Sequence, residues 1–118
     1  MPELIGQTWP RTGQFTMKIN TINPAELKLL FDSNASVQLI DIREKYEVEI
    51  DGKTNSIHIP MGDLVDRLDE IPFHEKIVFH CASGQRSSNM LKFLQMNNLY
   101  KENYYSLEGG FKAWLEIK

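Results

Sequence analysis

The chain has 118 residues, of which 42% are hydrophobic and 25% are charged, and its formal net charge is −3. This length suits one domain, and the balanced composition excludes collagen-like, mucin-like and wholly disordered chains. The slight acidic excess and the scattered basic residues argue against nucleic acid as the main partner, and no apolar run reaches the ~18 residues of a membrane span.

Two prolines and two glycines interrupt the first 16 residues, which show no hydrophobic periodicity. Their only apolar pair is Leu4-Ile5, far short of the ~7–15-residue apolar core of a secretion signal. We therefore predict a poorly structured arm over residues 1–16, a folded domain over residues 17–118, and a cytoplasmic location.

From residue 17 onward, strand and helix patterns alternate along the chain. The pair Asn23-Pro24 favours a helix start, because asparagine caps a helix well and proline fits its first position. The segment Ile77-Val78-Phe79 is wholly apolar, as expected for a strand buried on both faces of a parallel sheet. Strands are predicted at 18–22, 37–41, 56–59, 76–80 and 104–106, and helical segments at 24–32, 44–50, 64–68, 87–99 and 111–115.

This alternation predicts an α/β fold in which helices cover both faces of a parallel sheet. Ligands of such sheets bind at the carboxyl ends of the strands. Asp41 ends one predicted strand, and Cys81 directly follows another. We therefore expect Asp41 and Arg43 to lie close to the segment that begins at Cys81, and to brace the sheet edge and that segment.

Cys81 is the only cysteine, which excludes an internal disulfide and a cysteine-rich zinc site. The three histidines show no metal-ligand spacing, so we predict no metal. A lone cysteine is most often an inert buried hydrophobe. Here, however, it stands between a buried strand and a helix, where backbone N–H groups and the positive helix end favour a thiolate.

The loop after Cys81 has four residues before Arg86, and all four are small or polar. Such a loop can curl its N–H groups around the sulfur, and Arg86 adds a fixed positive charge. A structural role for Arg86, paired with Asp41 or a backbone carbonyl, is the alternative. The residues predicted to surround the substrate are Ala82, Ser83, Gly84, Gln85 and Ser87, the last of which is also expected at the helix start.

Four motifs in this order resemble the single-domain rhodanese-like sulfurtransferases. The first is Asp41-Ile42-Arg43, and the second is Ile57-His58-Ile59-Pro60. The third is Cys-x-x-Gly-x-Arg-Ser, beginning at Cys81, and the fourth is Leu-Glu-Gly-Gly-Phe-x-Ala-Trp over residues 107–114. The resemblance covers the chain from about residue 17 to its end.

The resemblance implies a five-stranded parallel sheet and a cysteine that carries sulfane sulfur as a persulfide, without a cofactor. Cys81 and Arg86 would be the catalytic residues. Sulfur would come from thiosulfate or a persulfide and pass to a thiol, cyanide or protein acceptor. Residues 46–50 and 59–61 are similar to rhodanese domains found with enzymes that activate ubiquitin-like sulfur carriers, which makes such a carrier one protein partner to consider.

The sequence departs from the family pattern in two places. The histidine common before the third strand is missing from residues 51–56, a segment that is mainly a structural turn. Ala82 stands where many members have arginine, which weakens the expectation that the dianion thiosulfate is the donor. Two other functions stay open: a non-catalytic rhodanese module for sulfide sensing or protein docking, and a cysteine phosphatase or arsenate reductase. The oligomeric state is not predicted.

Overall fold

The computed structural model describes residues 18–117. The predicted arm, residues 1–16, lies outside the described residues, so the division into arm and domain stays a prediction. Within residues 18–117, no helix is both long and apolar enough to cross a membrane. The elements in chain order are β1 (Asn20–Ile22), α1 (Pro24–Asp32), β2 (Val37–Asp41), α2 (Lys45–Asp51), β3 (Ile57–His58), two 3-10 helices (Met61–Asp63 and Val65–Glu70), β4 (Lys76–His80), α3 (Gln85–Met96), β5 (Tyr104–Leu107) and α4 (Gly110–Ile117).

The five strands form one sheet in the order β1-β5-β4-β2-β3, and every pairing is parallel. This confirms the predicted five-stranded parallel sheet. In the register of β2 and β4, Asp41 lies beside His80, and the N–H of Ile42 donates to the carbonyl of His80 at 2.9 Å. The carboxyl ends of β2 and β4 therefore meet at one edge, as the sequence predicted.

Helices cover both faces of the sheet, and each face has its own apolar cluster. One cluster includes Phe79, Cys81 and residues of α3, and the other includes Val78 and residues of α1 and α4. Because neighbouring strand residues point to opposite faces, His80 lies on the α4 face, whereas Cys81 lies on the α3 face.

Several element boundaries and one element differ from the predictions, although strands and helices follow in the expected order. α1 begins at Pro24 as predicted, with Asn23 accepting a hydrogen bond from the N–H of Glu26 at 2.8 Å. The helix predicted at 64–68 is replaced by the two 3-10 helices, and β3 has only two residues. α3 begins at Gln85 rather than at residue 87, because the chain turns sharply at Gly84, whose φ is 95°.

Candidate active site

The sulfur of Cys81 lies at the start of the loop between β4 and α3, and only 1% of the residue is exposed. The N–H of Gly84 donates to Sγ at 3.1 Å, and the N–H of Ser87 donates to it at 3.4 Å. The hydroxyl oxygen of Ser87 lies 3.8 Å from the sulfur. We call Cys81, Gly84 and Ser87 the sulfur cradle. Donors arranged in this way stabilise a negative charge on sulfur more than a neutral thiol.

Gly84 gives the cradle its shape. Its φ of 95° is rarely adopted by residues with a side chain. A Cβ atom at this position would also lie 3.1 Å from the backbone of both Leu107 and Gly109. The sharp turn and the close packing together direct the N–H of Gly84 at the sulfur, so glycine is required here.

The structure brings together only part of the predicted substrate-binding set. Gly84 and Ser87 contact the sulfur, whereas Ala82, Ser83 and Gln85 donate no hydrogen bond to it within residues 18–117. Ser87, which was also predicted to begin a helix, is buried in the first turn of α3. Its hydroxyl donates to the carbonyl of Gly84 at 3.2 Å, and lies 2.7 Å from the hydroxyl of Ser106.

Arg86 makes a two-point ion pair with Glu47. Both nitrogen–oxygen distances are 2.7 Å. These hydrogen bonds lower the pKa of Glu47 to about 2 and raise the pKa of Arg86, so both groups stay charged across the ordinary pH range. The alternative pairing of Arg86 with Asp41 is wrong, because Asp41 is already bound by Arg43.

Asp41 and Arg43 form a second ion pair, buried on the α4 face with exposures of 1% and 0%. Nε and Nη2 of Arg43 donate to the carboxylate at 2.8–3.2 Å, and Nη2 also donates to the carbonyl of Gly52 at 2.9 Å. Burial opposes the charge of Asp41, but the hydrogen bonds from Arg43 and the nearby positive charge hold the pKa of Asp41 below its usual value. The guanidinium carbon lies 4.1 Å from the ring centre of Phe111.

His80 is buried beside this pair. Burial lowers the pKa of His80, which keeps the imidazole neutral. Its Nδ1 lies 3.4 Å from the carbonyl oxygen of Cys81, and its Nε2 lies 2.9 Å from the hydroxyl oxygen of Thr54. The imidazole does not contact Sγ, so His80 is not placed to act as its base.

Sequence reasoning missed Glu47 and Ser106. Glu47 belongs to the first turn of α2, which follows the carboxyl end of β2 and so lies at the same sheet edge as Arg86. The predicted topology placed this segment near Arg86, but the segment has several carboxylates and the topology did not single out Glu47. Ser106 pairs in register with Phe79, which places it next to the end of β4. The predicted strands placed Ser106 near the end of β4, but they did not indicate the contact between the hydroxyls of Ser87 and Ser106.

Residues 23–117 match the family model described as "Rhodanese-like domain", and the chain belongs to that family. YtwF of Bacillus subtilis, named provisionally as a sulfurtransferase, is 35% identical over 98 residues, which cover 83% of this chain and 92% of that protein. A sulfurtransferase of Allochromatium vinosum is 28% identical over 81% of this chain and 88% of that protein. YrkF of Bacillus subtilis, named provisionally as a sulfur carrier protein, is 29% identical over 81% of this chain, which spans 51% of its length.

Solved structures of similar proteins share the fold. A rhodanese-related protein from Thermoplasma volcanium superimposes with a TM-score of 0.67 at 30% identity, over 83% of this chain and 92% of that one. A protein of unknown function from Rhodopseudomonas palustris, described as a candidate tyrosine phosphatase, superimposes with a TM-score of 0.71 at 30% identity over 96% of both chains. The predicted family and fold class are therefore confirmed.

Proposed function

We propose that the protein is a sulfurtransferase that carries sulfane sulfur as a persulfide on Cys81. The observation that carries this proposal is the sulfur cradle, in which two N–H groups donate to Sγ of the chain's one cysteine. The cradle stabilises an anion on sulfur without a neighbouring base, which suits a nucleophile that attacks as a thiolate. Membership of the rhodanese-like family supports the same chemistry.

The reaction has two steps. The thiolate of Cys81 attacks the outer sulfur of the donor, so that a bond forms between Sγ and that sulfur. The bond from that sulfur to the rest of the donor breaks, and its electron pair leaves as sulfite from thiosulfate or as a thiolate from a persulfide. In the second step a thiolate, cyanide or a protein thiol attacks the outer sulfur, and the electron pair of the sulfur–sulfur bond returns to Sγ. No external oxidant or reductant is needed in either step, and the order is ping-pong.

Each residue of the site has a role in this proposal. Gly84 and Ser87 donate hydrogen bonds to the sulfur of Cys81 and stabilise it both as the attacking and as the leaving group. Arg86 contributes positive potential at the loop, and Glu47 fixes the guanidinium in place. Asp41 and Arg43 support the sheet edge from the opposite face.

The charges around the loop favour a persulfide donor over thiosulfate. Arg86 is already paired with Glu47, and Ala82 supplies no second cation. The carboxylate of Glu108 lines a cavity of about 290 Å³ that borders the loop residues Ser83 and Gln85. A dianion entering beside these groups meets no unpaired positive side chain of the loop itself. A thiol-bound persulfide, carried by a small molecule or by a sulfur carrier protein, fits these charges better.

The test is sulfur transfer to cyanide, measured as thiocyanate, with thiosulfate and a small-molecule persulfide as alternative donors. We expect Cys81→Ser and Cys81→Ala to abolish transfer with both donors, because no other residue of the chain is a thiol. We also expect a higher kcat/KM for the persulfide than for thiosulfate. No transfer by the folded wild-type protein with either donor would contradict the proposal and favour the non-catalytic module. The cytoplasmic location stays a prediction.

A phosphatase is the second candidate, because one structural neighbour is described as a candidate tyrosine phosphatase. The loop argues against it: only four residues separate Cys81 from Arg86, so the ring of loop N–H groups is short. An attacked phosphate would need donors for three oxygens around its phosphorus. We expect no hydrolysis of p-nitrophenyl phosphate above the rate of Cys81→Ser. Hydrolysis by the wild type that Cys81→Ser lacks would favour the phosphatase.

A further inference from the structure

Two carbonyl groups of the loop are bound by the beginning of α4. The N–H of Phe111 donates to the carbonyl of Cys81 at 2.8 Å, and the N–H of Lys112 donates to the carbonyl of Ala82 at 3.0 Å. Both donors belong to the first turn of α4, where N–H groups have no partner within the helix. The loop carbonyls therefore replace the missing helix partners, and the helix holds two successive peptide groups of the loop.

Gly110 brings the helix close enough to make these bonds. Its φ is 60°, and a Cβ atom there would lie 2.6 Å from the carbonyl oxygen of Cys81 and 2.8 Å from the carbonyl carbon and oxygen of Ala82. These contacts are with backbone atoms, which cannot move aside as a flexible side chain would. Any residue larger than glycine must therefore push the loop away from α4.

The buried ion pair holds this helix end from its other side. The guanidinium of Arg43 is fixed by Asp41 and lies over the ring of Phe111. The Nη1 atom of Arg43 is buried and has no hydrogen-bond partner within the described residues, so the flat ring is the neighbour that its charge meets. The same residue that donates to Cys81 through its backbone is thus anchored through its side chain.

The carbonyl contacts determine where the opposite ends of the two peptide groups point. In a trans peptide the C=O and N–H bonds point in opposite directions. Binding the carbonyls of Cys81 and Ala82 to α4 therefore directs the N–H groups of Ala82 and Ser83 away from α4. Neither N–H donates to another group within residues 18–117. Among the described residues they are unpaired donors, in the same loop as the two N–H groups that donate to Sγ.

We propose that the start of α4, through Gly110, Phe111 and Lys112, is a positioning element that aims the N–H groups of Ala82 and Ser83 at the outer sulfur of the Cys81 persulfide. In this assignment Gly84 and Ser87 serve Sγ, and the two aimed N–H groups serve the transferred sulfur atom. The inference rests on the proposed sulfurtransferase function and assigns a task to residues that lie outside the cysteine loop.

Gly110→Ala tests this directly, with Gly62→Ala as its control. Gly62 lies in the 3-10 helix Met61–Asp63 and has no atom within 4 Å of the position of a Cβ, so its substitution adds the same methyl group without displacing a neighbour. We expect Gly110→Ala to lower kcat of sulfur transfer by about 10- to 100-fold, the scale of losing a positioned donor. Gly62→Ala should leave kcat unchanged. Equal kcat values for the two variants, both folded, would overturn the proposal.

A second pair of variants carries the test if Gly110→Ala does not fold. Lys112→Pro removes the N–H that binds the carbonyl of Ala82, and proline is tolerated within the first helical turn. Lys112→Ala loses the same exposed side chain but keeps the N–H. We expect the proline variant to be about 10-fold slower in kcat than the alanine variant. Equal rates for these two folded variants would overturn the proposal.

Ultraviolet absorption of the Cys81 persulfide separates this inference from the proposed function. The protein is loaded from a polysulfide, and the lifetime of its persulfide band is followed in each variant. We expect the band in the wild type and a band that decays faster in Gly110→Ala and Lys112→Pro. Stable loading with unchanged lifetimes in those variants would overturn the inference alone, whereas a wild type that cannot be loaded would contradict the proposed function.

Discussion

Two arginine–carboxylate pairs lie at the same edge of the sheet, and their surroundings differ. Arg43 and Asp41 are 0% and 1% exposed, whereas Arg86 and Glu47 are 33% and 16% exposed. Both pairs have two-point geometry, and the shortest nitrogen–oxygen distance is 2.8 Å in the Arg43–Asp41 pair and 2.7 Å in the Arg86–Glu47 pair. Because the geometry is alike, burial is the property that separates what each pair does.

In the function that we propose, the buried pair contributes to the architecture and the more exposed pair contributes to the chemistry. Removing one member of a buried pair leaves the other charge without water or a partner, which is strongly destabilising. An ion pair that water reaches contributes little to folding. Arg86, at the start of α3, can therefore serve the reaction while contributing little stability, and Arg43 contributes to the site through the packing beneath Phe111.

The largest change in the free energy of unfolding is expected when the buried pair is broken. Arg43→Ala should lower the free energy of unfolding by about 3–5 kcal/mol, because the carboxylate of Asp41 is left buried and unpaired. Urea unfolding followed by circular dichroism measures it. A loss below about 1 kcal/mol would show that water reaches Asp41 and that the contrast with the outer pair is false.

Arg86→Gln should show the opposite balance. We expect the rate of sulfur transfer to fall by about 10- to 1000-fold, as when a charge-stabilising group is removed from an active site. The free energy of unfolding should change by no more than about 1 kcal/mol. Steady-state transfer assays and urea unfolding of the same preparation give both numbers. An unchanged rate would restrict Arg86 to a structural role.

Ser87→Ala should have a moderate effect on the rate. The substitution removes the hydroxyl that lies 3.8 Å from Sγ but keeps the N–H that donates to it. It also leaves the hydroxyl of Ser106 without its partner at 2.7 Å. We expect about a 3- to 10-fold slower transfer and a loss of about 1 kcal/mol in stability. A rate equal to that of the wild type would mean that the backbone donors alone define the cradle.

The smallest effect is the acid dependence of the outer pair. The pKa of Glu47 falls from its ordinary 4.5 to about 2 in the folded protein, chiefly through its hydrogen bonds with Arg86. The folded state therefore favours the ionised form of Glu47 more than the unfolded chain does. The contribution of the ion pair to the free energy of unfolding is complete above pH 4.5 and is lost as the pH falls toward about 2.

We expect Glu47→Gln to be less stable than the wild type at neutral pH by at most about 1 kcal/mol, because water screens the pair. The difference in the free energy of unfolding should shrink as the pH falls from 4.5 toward about 2. Urea unfolding of both proteins across the acid range measures it. A difference that stays constant down to pH 2 would show that the charge of Glu47 does not stabilise the fold.

The sequence was sufficient to predict the sheet, its helices and the cysteine loop, because their signals are local. Apolar runs mark β4, and Asn23-Pro24 marks the start of α1. The partners of the charged residues could not be predicted in the same way. In the predicted topology, several carboxylates were close enough to pair with Arg86. Only the structure shows that Arg43 pairs with Asp41 and that Arg86 pairs with Glu47.

The hydrogen bonds of the sulfur cradle also could not be predicted from the sequence. Four loop residues between the ends made a ring of N–H groups plausible, but the dihedral angles decide which N–H meets the sulfur. The left-handed turn at Gly84 selects its own N–H and that of Ser87. Gly110 belongs to the fourth sequence motif, yet its contact with the loop carbonyls depends on the packing of α4 against the sheet edge.

The intact mass of the protein after treatment with a persulfide or polysulfide donor tests whether Cys81 carries sulfane sulfur more directly than any rate does. We expect the wild type to gain one sulfur atom, about 32 Da, and a thiol reductant to remove it. Cys81→Ser should gain nothing under the same conditions, and Arg43→Ala should still gain the atom wherever it remains folded. A folded wild type that stays at its starting mass, or a Cys81→Ser variant that gains the same 32 Da, would contradict the account.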